Sequence, residues 1–467
     1  MIPTLARDLG PTTINPSQPK DQRVHLKTFV PGPRSVALRG REDAHLALGA
    51  QRYAISAGIA LDRGKGSAVV DVDGNTYLDF IGGIGVNALG HAHPVFVDAL
   101  SRQAARLSVG SFTSSARVEL LDLLSAHAPS PALQRVQFYS GGAEAVESAL
   151  RLAKSHTGRY EFLSFWGGFH GKTMGALALM GSPFKEKLGP LVTGSHLTPY
   201  ADCYRCPFGR QYPSCDLECA RFAKKHVKAA AAGAMAGIIV EPMQGTAGNV
   251  IPPKEFLPAI RELADDLGAL LIVDEMVTGF GRTGKYWGIE HSGVTPDIVT
   301  VGKAFGGGFP LSGLMTSEAI GRAAPWSNPS GSSSSYGGNS LGAAAGAAAL
   351  RIIDGERLVD NAADVGAYML RELTPFVDRY PFVGLVDGAG LFLRIELVKD
   401  KVTKEPLSAV VAERIFQMCL HRGLLIMAYS PSIRLQPALT IDRATAENGI
   451  AILREVFDAV LASRLWE

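Results

Sequence analysis

The chain has 467 residues, room for two or three domains, and its 46% hydrophobic against 19% charged residues can build a sizeable core. Lys and Arg (46) nearly balance Asp and Glu (44) with no basic block, which excludes an electrostatic footprint for nucleic acid or an acidic membrane surface. No run approaches the ~18 apolar residues of a membrane span, and the start, with Arg7 and Asp8, lacks an apolar leader core; the expectation is a cytoplasmic soluble enzyme.

In chain order, residues 1 to about 40 are polar and Pro-rich and read as an arm more than as a folded unit. Two short β-branched runs around Asp73-Gly74, between Ala68 and Asp79, predict a hairpin. From about 115 to 310, helical spacing alternates with short apolar runs. Val118–Ala126 and Ala143–Ala153 read as helices; Val136–Tyr139, Tyr160–Phe165, Gly237–Val240, Ala269–Val273 and Asp297–Val301 read as strands. Such strands between helices predict a mostly parallel sheet covered on both faces. Leu341–Leu350 is Ala-rich and reads as a long buried helix, and Ala362–Leu373, Gly390–Ile395 and Ala444–Ala462 predict a smaller α+β layer. The expected fold class is α/β. A large doubly wound domain spans 86–345, 1–85 is an N-terminal arm and part of a small domain, and 346–467 completes that domain.

Four of the five cysteines cluster as Cys203-x2-Cys206-x8-Cys215-x3-Cys219, and Cys419 stands alone. Paired thiolates on tight turns are compatible with a structural zinc site; reduced loop thiols, or disulfides in an exported protein, are the alternatives. With Pro207, Gly209 and Pro213 between them, the segment reads as an irregular insertion and not as the seat of chemistry.

In an open parallel sheet, ligands sit outside the carboxyl ends of the strands. Chemically capable residues stand at those ends: Ser140-Gly141-Gly142, Glu241, Asp274-Glu275 and Lys303. The glycines before a helix let backbone N–H groups approach a phosphate, although an ordinary Gly-rich turn has the same spelling. Asp274 can hold a proton on a heteroaromatic nitrogen; a helix cap or metal ligand is the plain alternative. Gly279-Phe-Gly281-Arg-Thr-Gly284-Lys285 imitates two nucleotide motifs. Tyr286 stands where a P-loop needs Ser or Thr, and five residues separate the strand from the first glycine. Lys303 closes an apolar strand and runs into glycines, out of place as a solvated charge; burial lowers a lysine pKa, as a Schiff-base lysine requires. Phe169 could lay its face on a flat cofactor, though a lone aromatic is more often core.

Taken together and in order, these motifs resemble the class III (ω-amino acid type) aminotransferases among the fold type I pyridoxal-phosphate enzymes. The resemblance runs from about Gly64 to near the C-terminus. It rests on Asp79-Phe-x3-Ile84 with Gly90-His-x-His93-Pro, Ser140-Gly-Gly-Ala-Glu-Ala-Val-Glu147, Phe169-His170-Gly-x-Thr, Glu241-Pro-x-Gln-Gly245, Asp274-Glu-x3-Gly-Phe-Gly-Arg-Thr-Gly284, Gly302-Lys303-x3-Gly-Gly and Tyr336-Gly-Gly-Asn339. It implies pyridoxal 5'-phosphate as cofactor and ping-pong transfer of an amino group from an amine or ω-amino acid donor to a 2-oxo acid. In the implied roles, Lys303 carries the cofactor and shuttles a proton. Asp274 keeps the ring nitrogen protonated, Gly142 and Ala143 hold the phosphate, and Phe169 stacks on the ring. His170 and Glu241 belong to the cofactor-side network. Ile84 lines the substrate channel and Arg434 forks the substrate carboxylate. Ser335, where the family usually has threonine, reaches the phosphate of a neighbouring subunit, which implies a homodimer with shared sites.

Four positions depart from the family pattern. Val277 replaces a glutamine near the cofactor's phenolic oxygen, Lys172 replaces an arginine, and Ser335 replaces threonine. Thr246 stands where an acid often serves either as the second base of a racemising member or as the partner that masks the arginine. A threonine hydroxyl does neither near neutral pH, so transaminase is favoured over the rival, an amino-acid racemase or epimerase of the same family.

Overall fold

In this computed structural model, residues 24–429 and 431–467 are described. The N-terminal reading therefore lies, for residues 1–23, outside the described residues. For the remainder it is corrected: Pro33–Asp43 is a helix. Its first N–H groups, those of Arg34 and Ser35, donate to the two carboxylate oxygens of Asp73 at 2.8 Å each. The cap comes from the turn of the predicted hairpin, a tertiary contact that no local signal announces.

That hairpin forms as expected. Strands β1 (Leu61–Lys65), β2 (Ala68–Asp71) and β3 (Thr76–Asp79) pair antiparallel in order, with Gly74 at φ 87° in the β2–β3 turn. The large sheet contains β4 (Arg135–Tyr139), β5 (Glu161–Phe165), β6 (Ser195–Thr198), β7 (Met235–Val240), β8 (Leu270–Asp274), β9 (Ile298–Val301) and β10 (Ser312–Thr316), in the order β4-β10-β9-β8-β7-β5-β6. Strands β5 to β9 run parallel, and β10 runs antiparallel to both β4 and β9. Every residue of β5, β7, β8 and β9 is buried, because helices cover both faces. Strands β6 and β10 escaped the sequence reading. Ser312–Thr316 lacks a β-branched run, and a Cβ on Gly313 would lie 2.8 Å from the Gln137 carbonyl, so the close approach of β4 selects glycine.

The Ala-rich segment is the helix Ser340–Gly355, capped by Asn339, whose side chain accepts from Gly342 N–H. The C-terminal region adds β11 (Val383–Ala389), β12 (Phe392–Leu397), β13 (Leu424–Leu425), β14 (Met427–Tyr429) and β15 (Ser432–Leu435). The segment Gly390–Ile395 holds a turn at Gly390 followed by most of β12. Strand β13 pairs parallel with β3, joining the two ends of the chain in one sheet, while β11-β12-β15-β14 form a third.

The four clustered cysteines are unpaired and line one cavity of about 20 Å³. Among the described residues, no group of three or more His, Cys, Asp or Glu is arranged to hold a metal ion. Their segment is tied to the third sheet, where Arg205 pairs with Glu396 and donates to the Lys404 carbonyl at 2.7 Å. No described helix is long and apolar enough to cross a membrane.

Candidate active site

The carboxyl ends of β4, β5, β7, β8 and β9 open on one side of the sheet. Asp274 ends β8 and is 1% exposed. Its Oδ2 lies 2.8 Å from His170 Nδ1, and its Oδ1 accepts the Met276 N–H at 3.0 Å. Burial pulls the His170 imidazole down, but the hydrogen bond and charge of Asp274, reinforced by Glu241, outweigh it and leave the ring above its ordinary value. Glu241, just past β7, accepts the N–H groups of Phe169 at 2.9 Å and Gly245 at 3.0 Å. Burial pushes Glu241 up; His170 and the two N–H donors oppose this only in part, and Asp274 adds to it. The three buried side chains interact electrostatically, with His170 bonded to Asp274 and Glu241 acting on both through space.

Lys303 follows β9 after a single glycine and opens the short turn Lys303–Gly306 with φ 48°, a left-handed conformation costing a side chain roughly 1–2 kcal/mol. Among the described residues its amine has no hydrogen-bond or ion-pair partner. Burial pulls the ammonium down and Arg434 adds to that; Asp274 and Glu241 push back without cancelling it. The group is held toward its neutral, nucleophilic form.

Opposite, the helix Gly142–Thr157 begins at the strand end of β4, where Glu144 accepts the N–H groups of Ser140 and Gly141. The N–H groups of Gly142 and Ala143 meet no acceptor among the described residues. The Met276 side chain packs closely on both Gly142 and Gly302. A Cβ on Gly142 would come within 3.0 Å of the Met276 sulfur, and one on Gly302 within 2.6 Å of the same atom. Phe169 is half-buried with its edge against Phe184, and Lys172 sits 4.5 Å above the Phe184 ring. The lysine thus supports the aromatic wall.

Val277 is buried between two glycines, its methyls 3.3 Å from where a Gly85 Cβ would stand and 3.1 Å from that of Gly245. It supplies wall and no polar contact. Ile84 lies in the turn Gly82–Gly85 at φ 65°, an uncommon conformation for a β-branched residue. Asp79 holds this loop by accepting the N–H groups of Ile81 and Gly82 and pairing with His91 at 2.9 Å. Arg434, on β15 and 5% exposed, donates to the Gly245 carbonyl at 3.0 Å and stands 5.5 Å from the centre of the Tyr429 ring.

Lys303, Asp274, His170, Glu241 and Arg434 are thus brought together, with Gly142 and Ala143 at the same sheet edge. Ser335 and Thr246 are exposed, and among the described residues the Ser335 hydroxyl makes no hydrogen bond. Sequence reasoning missed the His170–Asp274 bond, which joins residues 104 apart, and the part played by Tyr429 beside Arg434. Pyridoxal phosphate, the cofactor implied by the motifs, fits these residues: an unpartnered amine, a helix start with free N–H groups, and a carboxylate fixed by imidazole.

Comparison with known proteins agrees. The family model "Aminotransferase class-III" matches residues 50–457. A leucine/methionine racemase of Thermococcus litoralis is 33% identical over 86% of this chain and 91% of its own length. An acetylornithine aminotransferase of Streptomyces coelicolor is 38% identical over 86% of this chain and 91% of its own. A PLP-bound amine transaminase from an uncultivated Pseudomonas species superposes with a TM-score of 0.84 at 32% identity, covering 89% of this chain and 98% of that one. With most of its length matched by the family and its strand ends carrying the motifs in order, the chain belongs to the class III aminotransferases, pyridoxal-phosphate enzymes of fold type I.

Proposed function

We propose that this chain moves an amino group from an amine or ω-amino acid donor to a 2-oxo acid by a ping-pong mechanism, with Lys303 and Asp274 as its catalytic pair. The observation that carries the reading is the Lys303 amine, buried, unpartnered and held toward neutrality, sharing one site with the Asp274–His170 pair and Arg434. Pyridoxal phosphate, when bound, supplies the electron sink that lets the substrate Cα–H bond ionise and carries the amino group between half-reactions.

The protein's own part follows from the geometry. Asp274, oriented by its bond to the His170 imidazole, holds the proton at the pyridine nitrogen. Lys303 takes the proton from the substrate carbon and returns it, which its lowered pKa favours near neutral pH. Gly142 and Ala143 offer N–H groups to the phosphate, aided by the positive end of their helix. Phe169, Val277 and Ile84 wall the ring and channel, Glu241 braces the Phe169 loop, and Arg434 orients the substrate carboxylate. Ser335, exposed in a single chain, serves the phosphate site of a second copy in a cytoplasmic homodimer. Residues 86–345 act as the cofactor-holding domain, and the parts of the chain on either side of it close over the site.

Borohydride reduction of the yellow protein followed by peptide mapping tests the assignment: the reduced cofactor is expected on Lys303, and another site would end the reading. The racemase relative keeps one rival in view. Single-enantiomer leucine or methionine incubated without an oxo acid should keep its chirality; rapid inversion would favour racemisation over transfer.

A further inference from the structure

Arg434 is a cation 5% exposed that forms no ion pair with a carboxylate among the described residues. Thr246 is exposed and uncharged, and the Glu241 carboxylate is occupied by the Phe169 and Gly245 N–H groups. A buried guanidinium without compensation is costly. Its compensation here comes from the Gly245 carbonyl, from the Tyr429 ring, whose centre lies 5.5 Å from the guanidinium carbon, within cation–π range, and, through space, from the charge of Glu241.

The ring is itself fixed. Tyr429 lies opposite Ser432 in the β14–β15 pair, which puts it diagonal to Arg434 on the neighbouring strand. Its hydroxyl accepts the Tyr53 N–H at 3.1 Å, and Arg52 stands 5.8 Å over the same ring. Arg52 and Tyr53 open a short helix near the N-terminus, so two distant parts of the chain pin one aromatic side chain beside the substrate arginine.

We propose that Tyr429 is a specificity-determining residue that holds Arg434 inward by its ring and commits the site to substrates carrying a carboxylate in both half-reactions. A carboxylate partner would occupy the N–H fork and would have to be displaced by substrate. An aromatic ring stabilises the charge without taking an N–H donor, so only Nη1 is engaged, by the Gly245 carbonyl, and the other N–H groups stay open to a substrate carboxylate. A carboxylate-free amine meets the cation with nothing to neutralise it. The inference rests on the transaminase reading and deepens it: donors are expected among amino acids, and simple amines are expected to be poor.

The test compares Tyr429→Leu and Tyr429→Phe in the holoenzyme. Readouts are KM and kcat for pyruvate and 2-oxoglutarate, the calorimetric dissociation constant of 3-methylbutanoate as an unreactive carboxylate, and kcat/KM for 1-phenylethylamine. Tyr429→Leu should weaken all three carboxylates by about fivefold to thirtyfold, the range of a desolvated cation–π contact, with kcat little changed. Turnover of 1-phenylethylamine should hold or rise. Tyr429→Phe, which keeps the ring, should restore carboxylate affinity to within about twofold of the parent. Unchanged carboxylate affinity in the leucine variant, or a phenylalanine variant as damaged as leucine, would overturn the proposal. Both variants should keep the cofactor absorbance and the Lys303 adduct, so failure of the transaminase reading shows separately in the parent protein.

Discussion

Glu275, the neighbour of Asp274, is fully buried, and burial raises its carboxyl from 4.5 to about 7. Three donors oppose that rise without cancelling it: the Thr278 hydroxyl and the N–H groups of Gly288 at 3.0 Å and Ile289 at 2.8 Å. A raised carboxyl binds its proton more tightly in the folded chain than in the unfolded one. Its contribution to stability is therefore complete below pH 4.5 and is lost as pH rises through about 7. At 1.36 kcal/mol per pH unit, the loss across that window is on the order of 3 kcal/mol. Glu275→Gln removes the titration but keeps the shape. It also turns an amide N–H₂ toward one backbone donor, a pH-independent cost of about 1–3 kcal/mol. The diagnostic quantity is therefore the difference between variant and parent as a function of pH. Urea unfolding of the holoenzymes, followed by circular dichroism at pH 5, 6, 7 and 8, should show the parent losing ~2.5 kcal/mol more than the variant between the extremes. Parallel curves would refute the reasoning and assign Glu275 an ordinary titration.

Arg434→Ala should cost the oxo-acid half-reaction roughly 2–5 kcal/mol in kcat/KM and a carboxylate-free amine much less; equal losses would make the residue structural. Thr246→Asp, on the exposed turn beside Gly245, should improve turnover of carboxylate-free amines by supplying an anion to Arg434, measured as the ratio of 1-phenylethylamine to alanine turnover; an unchanged ratio would sink that argument.

Much was legible before any coordinates because the relevant signals are local. Buried parallel strands are written as short continuous apolar runs, and their carboxyl ends are where chemistry collects, so Asp274, Glu241 and Lys303 could be named from where each run stops. The Gly142 turn and the Asp73-Gly74 hairpin are written in neighbouring residues too. The strand β10 was not legible, since its reason for existing is the gap between β4 and β9, and Gly313 is chosen by the Gln137 carbonyl across that gap.

The amino-acid order by itself determined the class of fold and the family and singled out Lys303 and Asp274 as the candidate lysine and aspartate, all of which depend on residue type at fixed short spacing. Only the tertiary structure decided how those groups are tuned. The His170–Asp274 bond, the Asp73 cap on the helix Pro33–Asp43, and the Tyr53 N–H that holds the Tyr429 hydroxyl beside Arg434 join residues tens to hundreds of positions apart. Their energies depend on burial and on separations of a few ångströms, which no local stretch of chain encodes.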